Sequence, residues 1–173
     1  GRAMIERLGI DNIELRQGDI LDLELEARSF DYIIAHGVYS WVPAPVRARL
    51  LALAARSLAP NGLLYLSYNV LPGWRLRGTL RDILLDACRE EPHPPLRLGL
   101  AYAALHRLDT ALSGLEALSA RLLREEIARV QAAHPSYLYF EYLDTHNQAF
   151  LFRDIMAQVE AQGLAYLCDT ELH

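Results

Sequence analysis

The sequence predicts an α/β fold in which a mostly parallel sheet carries an inserted block of helices. Two apolar runs, residues 32–35 and 63–68, lack the alternation of a half-exposed strand, and such runs are typical of parallel strands covered on both faces. The residues between them have helical periodicity, so this part of the chain predicts a strand–helix–strand unit with a right-handed crossover. From about residue 70 onward the apolar spacing is mainly helical.

The predicted elements begin with a helix over residues 2–8, which Gly9 ends, and a strand over residues 12–17, where apolar and polar residues alternate. After the strand at residues 32–35, prolines open a helix that runs to Ser57. The peptide "LAPNG", residues 58–62, then predicts a turn in which Gly62 adopts a positive φ before the next strand.

The second half of the chain predicts a succession of helices. One covers residues 78–90 and ends at a group of prolines, and a second has an apolar stripe over residues 98–112. The peptide Ser113–Glu116 matches a capping box and predicts the start of a third. A helix over residues 149–162 and a strand over residues 164–168 close the chain, so the helical block is predicted to lie between two strands of one sheet.

Composition excludes several classes of protein. The chain has 173 residues, of which 52% are hydrophobic, as expected of one compact domain, and it has neither a membrane-spanning run nor a signal peptide, so we expect a cytoplasmic protein. All 17 basic residues are arginine, which excludes a phosphate-binding-loop lysine and a Schiff-base lysine. Cys88 and Cys168 have no zinc-ligand spacing, so we predict no metal site.

The charge pattern argues against nucleic acid as a partner. The net charge is −5, and the arginines form no long stripe with interleaved aromatic residues. Residues 46–107 nevertheless hold nine arginines and four acidic residues between two acidic segments. This pattern is explained either by internal charge complementarity or by an anionic substrate near the middle of the chain.

Three peptides together resemble a known family. In order and spacing, "GIDNIELRQGDILDL", "FDYIIAHGVYSWVP" and "LAPNGLLYLSYN" resemble the third, fourth and fifth strands of class I S-adenosylmethionine-dependent methyltransferases. The peptides "YNVLPGWRLRGTLRDILL" and "YLYFEYLDTHNQAFLFRDIMAQVEAQGLAYL" resemble the members that carry a methyltransferase regulatory domain. The resemblance implies an incomplete Rossmann-like methyltransferase sheet over residues 1–70, a helical cap or regulatory insertion over residues 71–147, and a core helix and strand over residues 148–173.

The resemblance also implies where S-adenosylmethionine would bind. In similar enzymes the acidic residue after the third strand accepts a hydrogen bond from the adenine amino group, and it corresponds to Asp19, with Ile20 beside the ring. The loop after the fourth strand, which lines the methionine end of the cofactor, corresponds to Ala35, His36, Gly37 and Val38.

Candidate catalytic and substrate residues follow from the same positions. His36 is either a general base or a position that only presents its backbone to the cofactor. Tyr39, a second catalytic candidate, and Trp41 either wall the substrate pocket or cover the end of the sheet. Arg77 and Arg81 share a helical face and either clamp a carboxylate or phosphate or form a solvated surface. The remaining substrate candidates are Asn69, Trp74 and Tyr142.

Two functional hypotheses therefore stay open. The first is methyl transfer to an unidentified protein or small molecule by a longer enzyme of which this chain is a part, because the glycine-rich loop and the ribose-binding acid of the family are absent from the sequence. Some relatives act on protein lysines, so a protein acceptor is one option by analogy, and a small molecule stays equally open. The second is a non-catalytic regulatory or binding module. Under either hypothesis, an incomplete sheet has exposed edges that favour homo-oligomers.

Overall fold

The structure, a computed structural model, describes residues 1–170 and divides the chain into two compact units. The first unit comprises residues 1–33 and 43–64, and the second comprises residues 34–42 and 65 onward. The described elements form a mixed α/β fold, as predicted. The part of the chain that is described contains no helix long and apolar enough to cross a membrane.

The first unit is built on one long helix. Helix α1, Arg2–Arg7, precedes Gly9, whose φ of 62° fits the predicted stop. Helix α2, Ala44–Ser57, begins after Pro43 with a second proline in its first turn, and it buries Leu50, Leu51, Leu53 and Ala54. Proline suits this position because the first turn of a helix has no intrahelical partner for its N–H groups.

The segment before the first strand is held against α2 by an exposed carboxylate. Glu24 accepts hydrogen bonds from Arg49 and from Arg56, each at 2.7 Å. The hydrogen bond from Arg56 and then that from Arg49 hold the pKa of Glu24 below its ordinary value. The backbone N–H groups of Arg28 and Ser29 also donate to the last residues of α2, so a segment without regular structure is nevertheless fixed.

Strand β1, Phe30–Ala35, pairs with strand β2, Leu58–Leu66. The prediction that these strands are covered on both faces was wrong, because Tyr32 is 70% exposed and Ile34 is 71% exposed. Side chains two residues apart in a strand point to the same face, so β1 presents an uncovered apolar face. The sequence pattern reported apolar residues correctly but contained no information on whether a neighbouring layer is present.

Residues 58–62, which were predicted to form a turn, lie within β2. Gly62 is needed there for a different reason from the predicted one. The positive φ belongs to Asn61, at 67°, and not to Gly62. A Cβ at Gly62 would lie 3.0 Å from the carbonyl oxygens of Ala59 and Phe30. Glycine is therefore needed there for space between two backbones, and not for conformational freedom.

The second unit contains the main helical core. Its helices are α3, Arg75–Ala87; α4, Pro94–Leu112; α5, Leu118–Ala132; and α6, Pro135–Leu138, which continues into a π-helical turn, Tyr139–Leu143. Apolar side chains from all of these helices form one buried cluster, with Leu84, Leu105, Ile127 and Leu138 wholly buried. Burial at these positions agrees with a packing role for the helical stripes, whereas Leu115, Leu118 and Leu122, apolar residues of the third predicted helix, are exposed.

Two very short strands bracket the helices in the sequence. Strand β3, Asn69–Leu71, pairs in parallel with strand β4, Ala149–Leu151, with Asn69 opposite Ala149. Helix α7, Phe152–Glu160, follows β4 directly, and Gly163 beyond it has a φ of 78°. Since the whole helical block connects β3 to β4, it is an insertion between two paired strands.

Two predicted strands are absent from the described residues, and one predicted helix begins later than expected. Residues 12–17 and 164–168 are not strands, because neither segment has a neighbouring strand with which to form backbone hydrogen bonds. Helix α5 begins at Leu118 rather than at the predicted capping box, and no side chain caps it. Gly114 has a φ of 80°, which is incompatible with a helical first turn at that residue.

Candidate functional site

The loop after β1 is held by polar groups from the end of β2 and the residues after it. Gly37 has a φ of 66°, and its N–H donates to the hydroxyl of Ser67 at 2.8 Å. The ring of His36 is exposed and stacks on Tyr65 with the centroids 5.7 Å apart, while its Nδ1 lies 3.1 Å from the Tyr65 hydroxyl. The loop therefore presents a fixed backbone and one accessible imidazole, as expected from the sequence.

The state of that imidazole depends on the Tyr65 contact. If Nδ1–H donates to the tyrosine oxygen, Nε2 of His36 has a free lone pair and can accept a proton. If the tyrosine hydroxyl donates instead, Nε2 carries the hydrogen and cannot act as a base. The contact with Tyr65 is compatible with both tautomers, and the role of His36 as a base requires the one in which Nδ1–H donates.

Tyr39 lies behind the loop and not at its surface. Its side chain is wholly buried in a single 3₁₀ turn, Tyr39–Trp41, and its hydroxyl donates to Gln158 at 3.0 Å. Its ring packs edge-on against Tyr68 and Phe150. This packing favours the structural alternative considered for Tyr39, in which the ring covers the end of the sheet.

A chain of hydrogen bonds connects the loop to the insertion. The hydroxyl of Ser40 accepts from the backbone N–H of Asn69 at 2.8 Å, and the side chain of Asn69 donates to Asn147 at 2.8 Å. Asn147 in turn donates to the backbone carbonyl of Glu141 at 2.9 Å. Asn69 is therefore held between the loop after β1 and Asn147, which lies two residues before β4.

Asn147 also lines a cleft of about 240 Å³ beside the first two turns of α3. Trp74 and Arg81, both predicted substrate residues, line the same cleft. The other lining residues are Leu71, Arg75, Gly78, Thr79, Asp82 and Ala149. The structure thus brings Trp74 and Arg81 together with the hydrogen-bond chain that begins at the loop.

Arg77 and Tyr142, also predicted to face the substrate, instead contact a buried carboxylate. Glu126 of α5 is only 1% exposed, and it accepts a hydrogen bond from the Tyr142 hydroxyl. Arg77 lies 3.3 Å and Arg129 2.9 Å from its two oxygens. Burial and the hydrogen bond to Glu126 raise the pKa of Tyr142 above its ordinary value.

The Arg77 guanidinium has a second contact, because it lies 4.8 Å from the centroid of the Trp74 ring. The buried carboxylate thereby fixes the arginine that covers one face of a cleft residue. Burial raises the pKa of Glu141 nearby, and Arg77 opposes that rise. Arg77 thus has a supporting position, and it does not line the cleft together with Arg81.

The predicted adenine-side residues, Asp19 and Ile20, belong to the first unit. Asp19 is exposed, and one of its oxygens, Oδ1, accepts from the backbone N–H of Leu21 at 2.9 Å. Its other oxygen has no hydrogen-bond partner among residues 1–170, and Ile20 beside it is half-buried. Asp19 therefore keeps one carboxylate oxygen for another donor.

The sequence interpretation missed Ser67 and Tyr65, which hold the loop. Both lie in the apolar run "LLYLSY", and the one available signal was a hydroxyl at each of three positions in a run of strand-forming residues. It also missed Glu126, because two of its partners, Arg77 and Tyr142, come from other elements. The described part of the chain contains no group of three His, Cys, Asp or Glu side chains that could hold a metal ion.

Comparison with known proteins identifies two matching family models. Residues 1–62 match a model described as "Methyltransferase domain". Residues 134–173 match one described as "Predicted methyltransferase regulatory domain". Two uncharacterized proteins of Rickettsia prowazekii are 32% and 31% identical to the chain over 97% and 96% of its length. The chain spans 30% of the first relative and 67% of the second.

Two solved structures are also similar to this chain over most of its length. The structure of PKMT2 from Rickettsia typhi in complex with AdoHcy is 32% identical, covers 98% of this chain and has a TM-score of 0.84. A second structure of PKMT2 is 30% identical, covers 93% of the chain and has a TM-score of 0.78. The chain spans 32% and 30% of those two chains, respectively.

Proposed function

We propose that this chain, which belongs to the class I S-adenosylmethionine-dependent methyltransferases with a regulatory domain, is part of a longer enzyme that methylates a protein side chain or small molecule. The observation that carries the proposal is the match to PKMT2, whose structure contains AdoHcy, the product that S-adenosylmethionine leaves after methyl transfer. The short share of the relatives that the chain spans supports the view that it is one part of a larger protein.

Methyl transfer is an in-line displacement at the sulfonium methyl carbon. The lone pair of the acceptor forms the new bond to carbon while the carbon–sulfur pair returns to sulfur, and an amine or hydroxyl acceptor also loses a proton. Position and exclusion of water supply most of the rate, so few side chains are needed. The loop after β1 contributes a fixed backbone at Gly37, which has no side chain to block close approach of the cofactor.

His36 is the proposed proton acceptor, in the tautomer whose Nδ1–H donates to the Tyr65 hydroxyl. In the native-length enzyme, His36→Gln should lower kcat by about 10²- to 10⁴-fold and leave the AdoHcy dissociation constant unchanged. The measurement is initial-rate kinetics of tritiated methyl transfer, accompanied by calorimetry. An unchanged kcat would assign to His36 only the presentation of its backbone.

Substrate selection is proposed for the helical insertion, residues 71–147. The support is the cleft beside α3 and its hydrogen-bonded link, through Asn147 and Asn69, to the loop after β1. In the proposed domain division, residues 1–70 and 148–173 form the methyltransferase core. The cytoplasmic location and any homo-oligomer stay predictions.

The first test is calorimetric titration of AdoHcy into the chain as given and into the native-length protein. In the family, an acid after the second strand holds the ribose hydroxyls, and two charge-assisted hydrogen bonds of this kind are together worth about a hundredfold or more in affinity. We therefore expect binding by the native-length protein and much weaker binding by the chain alone. No binding by either would reject the proposal and favour a non-catalytic module.

The acceptor class needs a separate measurement. Native-length protein incubated with tritiated S-adenosylmethionine and a cell extract should transfer tritium either to acid-precipitable protein or to the soluble small-molecule fraction. Incorporation into protein would identify a protein acceptor, and incorporation into the soluble fraction a small molecule. Transfer to neither fraction, despite binding of AdoHcy, would contradict the proposed activity.

A further inference from the structure

The cleft beside α3 contains a guanidinium group whose hydrogen bonds are incomplete. One terminal nitrogen of Arg81 donates to the backbone carbonyl of Asp144. The Nε of Arg81 is buried and has no hydrogen-bond partner among the residues described. Arg81 also forms no ion pair with any residue that the structure describes. A buried donor without a partner requires an explanation, and an unfilled ligand position is one.

The surroundings of Arg81 make an unpaired guanidinium group energetically unfavourable. Burial lowers the pKa of Arg81, and the carboxylates of Asp82 and Asp144 only oppose that effect. The charged form is therefore partly desolvated without a neutralising contact. An oxyanion that approached the guanidinium would supply both the missing hydrogen-bond acceptor and the missing charge.

A second cation lies in the same cleft. Arg75 is exposed, lines the cleft, and has neither a hydrogen bond nor an ion pair from its side chain within the described ranges. It is the first residue of α3, whose first turn has no acidic residue, so the partial positive charge of the helix end adds to that of the two arginines. Among the residues that the structure describes, Asp82 is the one carboxylate lining the cleft, so these lining residues carry a net positive charge.

We propose that this cleft binds an anionic oxygen group, a carboxylate or a phosphate, with Arg81 and Arg75 as its cationic ligands. That this anion belongs to the methyl acceptor rests on the methyl transfer proposed above, whereas the anion site itself does not. Asn147 lines the cleft and is hydrogen-bonded through Asn69 to the loop after β1, so a group bound there would orient an acceptor relative to that loop.

A cationic occupant fits the cleft less well. Trp74 is the aromatic side chain that could face an amine, but the Arg77 guanidinium already lies 4.8 Å from its ring centroid. Asp82 would then be the single counter-charge against two arginines. Electrostatic repulsion therefore disfavours an ammonium group where it favours an oxyanion.

The test follows the arginine Nε–H resonances of the full ¹⁵N-labelled chain by NMR. Sodium phosphate, sodium acetate and N-acetyl-lysine amide are added separately at constant ionic strength set with chloride. We expect the Arg81 Nε–H signal to shift saturably with phosphate, with acetate or with both. Saturation by one alone identifies the anion as phosphate or as carboxylate.

Arg75→Gln provides the variant, because an exposed side chain can be replaced without loss of the fold. It should raise the dissociation constant of the saturating anion about tenfold, as expected for loss of one charge-assisted contact. Arg107→Gln, which removes an exposed arginine from α4, is the matched control and should leave the constant unchanged.

Three results would overturn the site. The first is an Arg81 Nε–H shift that rises linearly with the added anion, as it would with chloride alone. The second is saturation by N-acetyl-lysine amide only. The third is an equal increase of the anion dissociation constant in the Arg75 and Arg107 variants. No cofactor is present in this titration, so its outcome is independent of the AdoHcy measurement. Saturable anion binding without AdoHcy binding would reject the proposed methyl transfer and retain the anion site. AdoHcy binding without saturable anion binding would reject the anion site and retain the proposed methyl transfer.

Discussion

Asp19 is the residue on which the cofactor interpretation can be tested most directly. Its Oδ1 is engaged by the Leu21 N–H, which leaves the second oxygen for the adenine amino group. In the native-length protein we expect Asp19→Ala to raise the AdoHcy dissociation constant by about 10- to 150-fold, since a hydrogen bond to a charged group is worth about 1.5–3 kcal/mol. Calorimetry measures the change.

Asp22→Ala is the control for that substitution, because Asp22 is exposed in the same short segment. Circular dichroism of both variants checks that the segment stays folded after loss of the Asp19–Leu21 hydrogen bond. An unchanged dissociation constant in the Asp19 variant would remove this residue from the cofactor site.

Glu126 is the residue with the largest predicted effect on stability. Its buried carboxylate accepts from Tyr142 and pairs with Arg77 and Arg129. Glu126→Gln keeps the shape but removes the charge, so we expect the free energy of unfolding to fall by about 1.5–3 kcal/mol. Urea denaturation followed by circular dichroism measures it.

The neighbouring residue provides a matched control. Glu125 has the same chemistry in the same helix but is exposed, so Glu125→Gln should change the free energy of unfolding by less than about 0.5 kcal/mol. Equal effects of the two substitutions would show that the buried ion pairs do not stabilise the fold.

These residues also show which side-chain positions can be predicted from the sequence. The positive φ of Gly37 and the exposure of His36 agree with a loop prediction, because a His-Gly pair directly after an apolar run is local information. The contact between Arg77 and Glu126 joins residues 49 positions apart, and nothing in either local pattern specifies it. Side chains were therefore predictable where the backbone alone sets their position.

At the scale of elements, helices were easier to predict than strands. Helices α2 and α3 follow from apolar spacing, and α2 also from the prolines at its start, which are properties of the segment itself. Strands β3 and β4 have three residues each, and they are strands because each pairs with the other across the helical insertion. A pattern over three residues is too short to predict that pairing.

The contact between the segment before β1 and helix α2 predicts a pH dependence. Arg56 and Arg49 hold the folded-state pKa of Glu24 below its value in the unfolded chain. The carboxylate therefore stabilises the fold at neutral pH, and this contribution is lost as the pH falls through the folded-state pKa. We expect Glu24→Gln to lower the urea midpoint at pH 7 and to leave the midpoint at pH 3 nearly unchanged.

Urea suits this measurement because, unlike guanidinium, it does not screen charge. Glu26→Gln is the control, since Glu26 is an exposed acid of the same segment. If wild type and the Glu24 variant lose the same stability between pH 7 and pH 3, the ion pairs of Glu24 contribute nothing to the fold.

At the scale of the whole molecule, the exposed face of β1 is the feature that most affects behaviour in solution. Phe30, Tyr32 and Ile34 alternate along one face of this strand and are 38%, 70% and 71% exposed. Among the described residues β1 has a strand neighbour on one side only. An apolar edge strand is a template for pairing with another chain, so we expect the isolated chain to associate as its concentration rises.

Sedimentation velocity at several concentrations measures this association. Replacing both Tyr32 and Ile34 by threonine keeps residues that favour strands but removes most of the apolar surface, so the double variant should remain monomeric. Leu118→Thr is the matched control, because Leu118 is 67% exposed but belongs to helix α5 and not to the edge of a sheet. A monomeric wild-type chain, or equal effects of the two replacements, would show that the exposed face of β1 does not drive association.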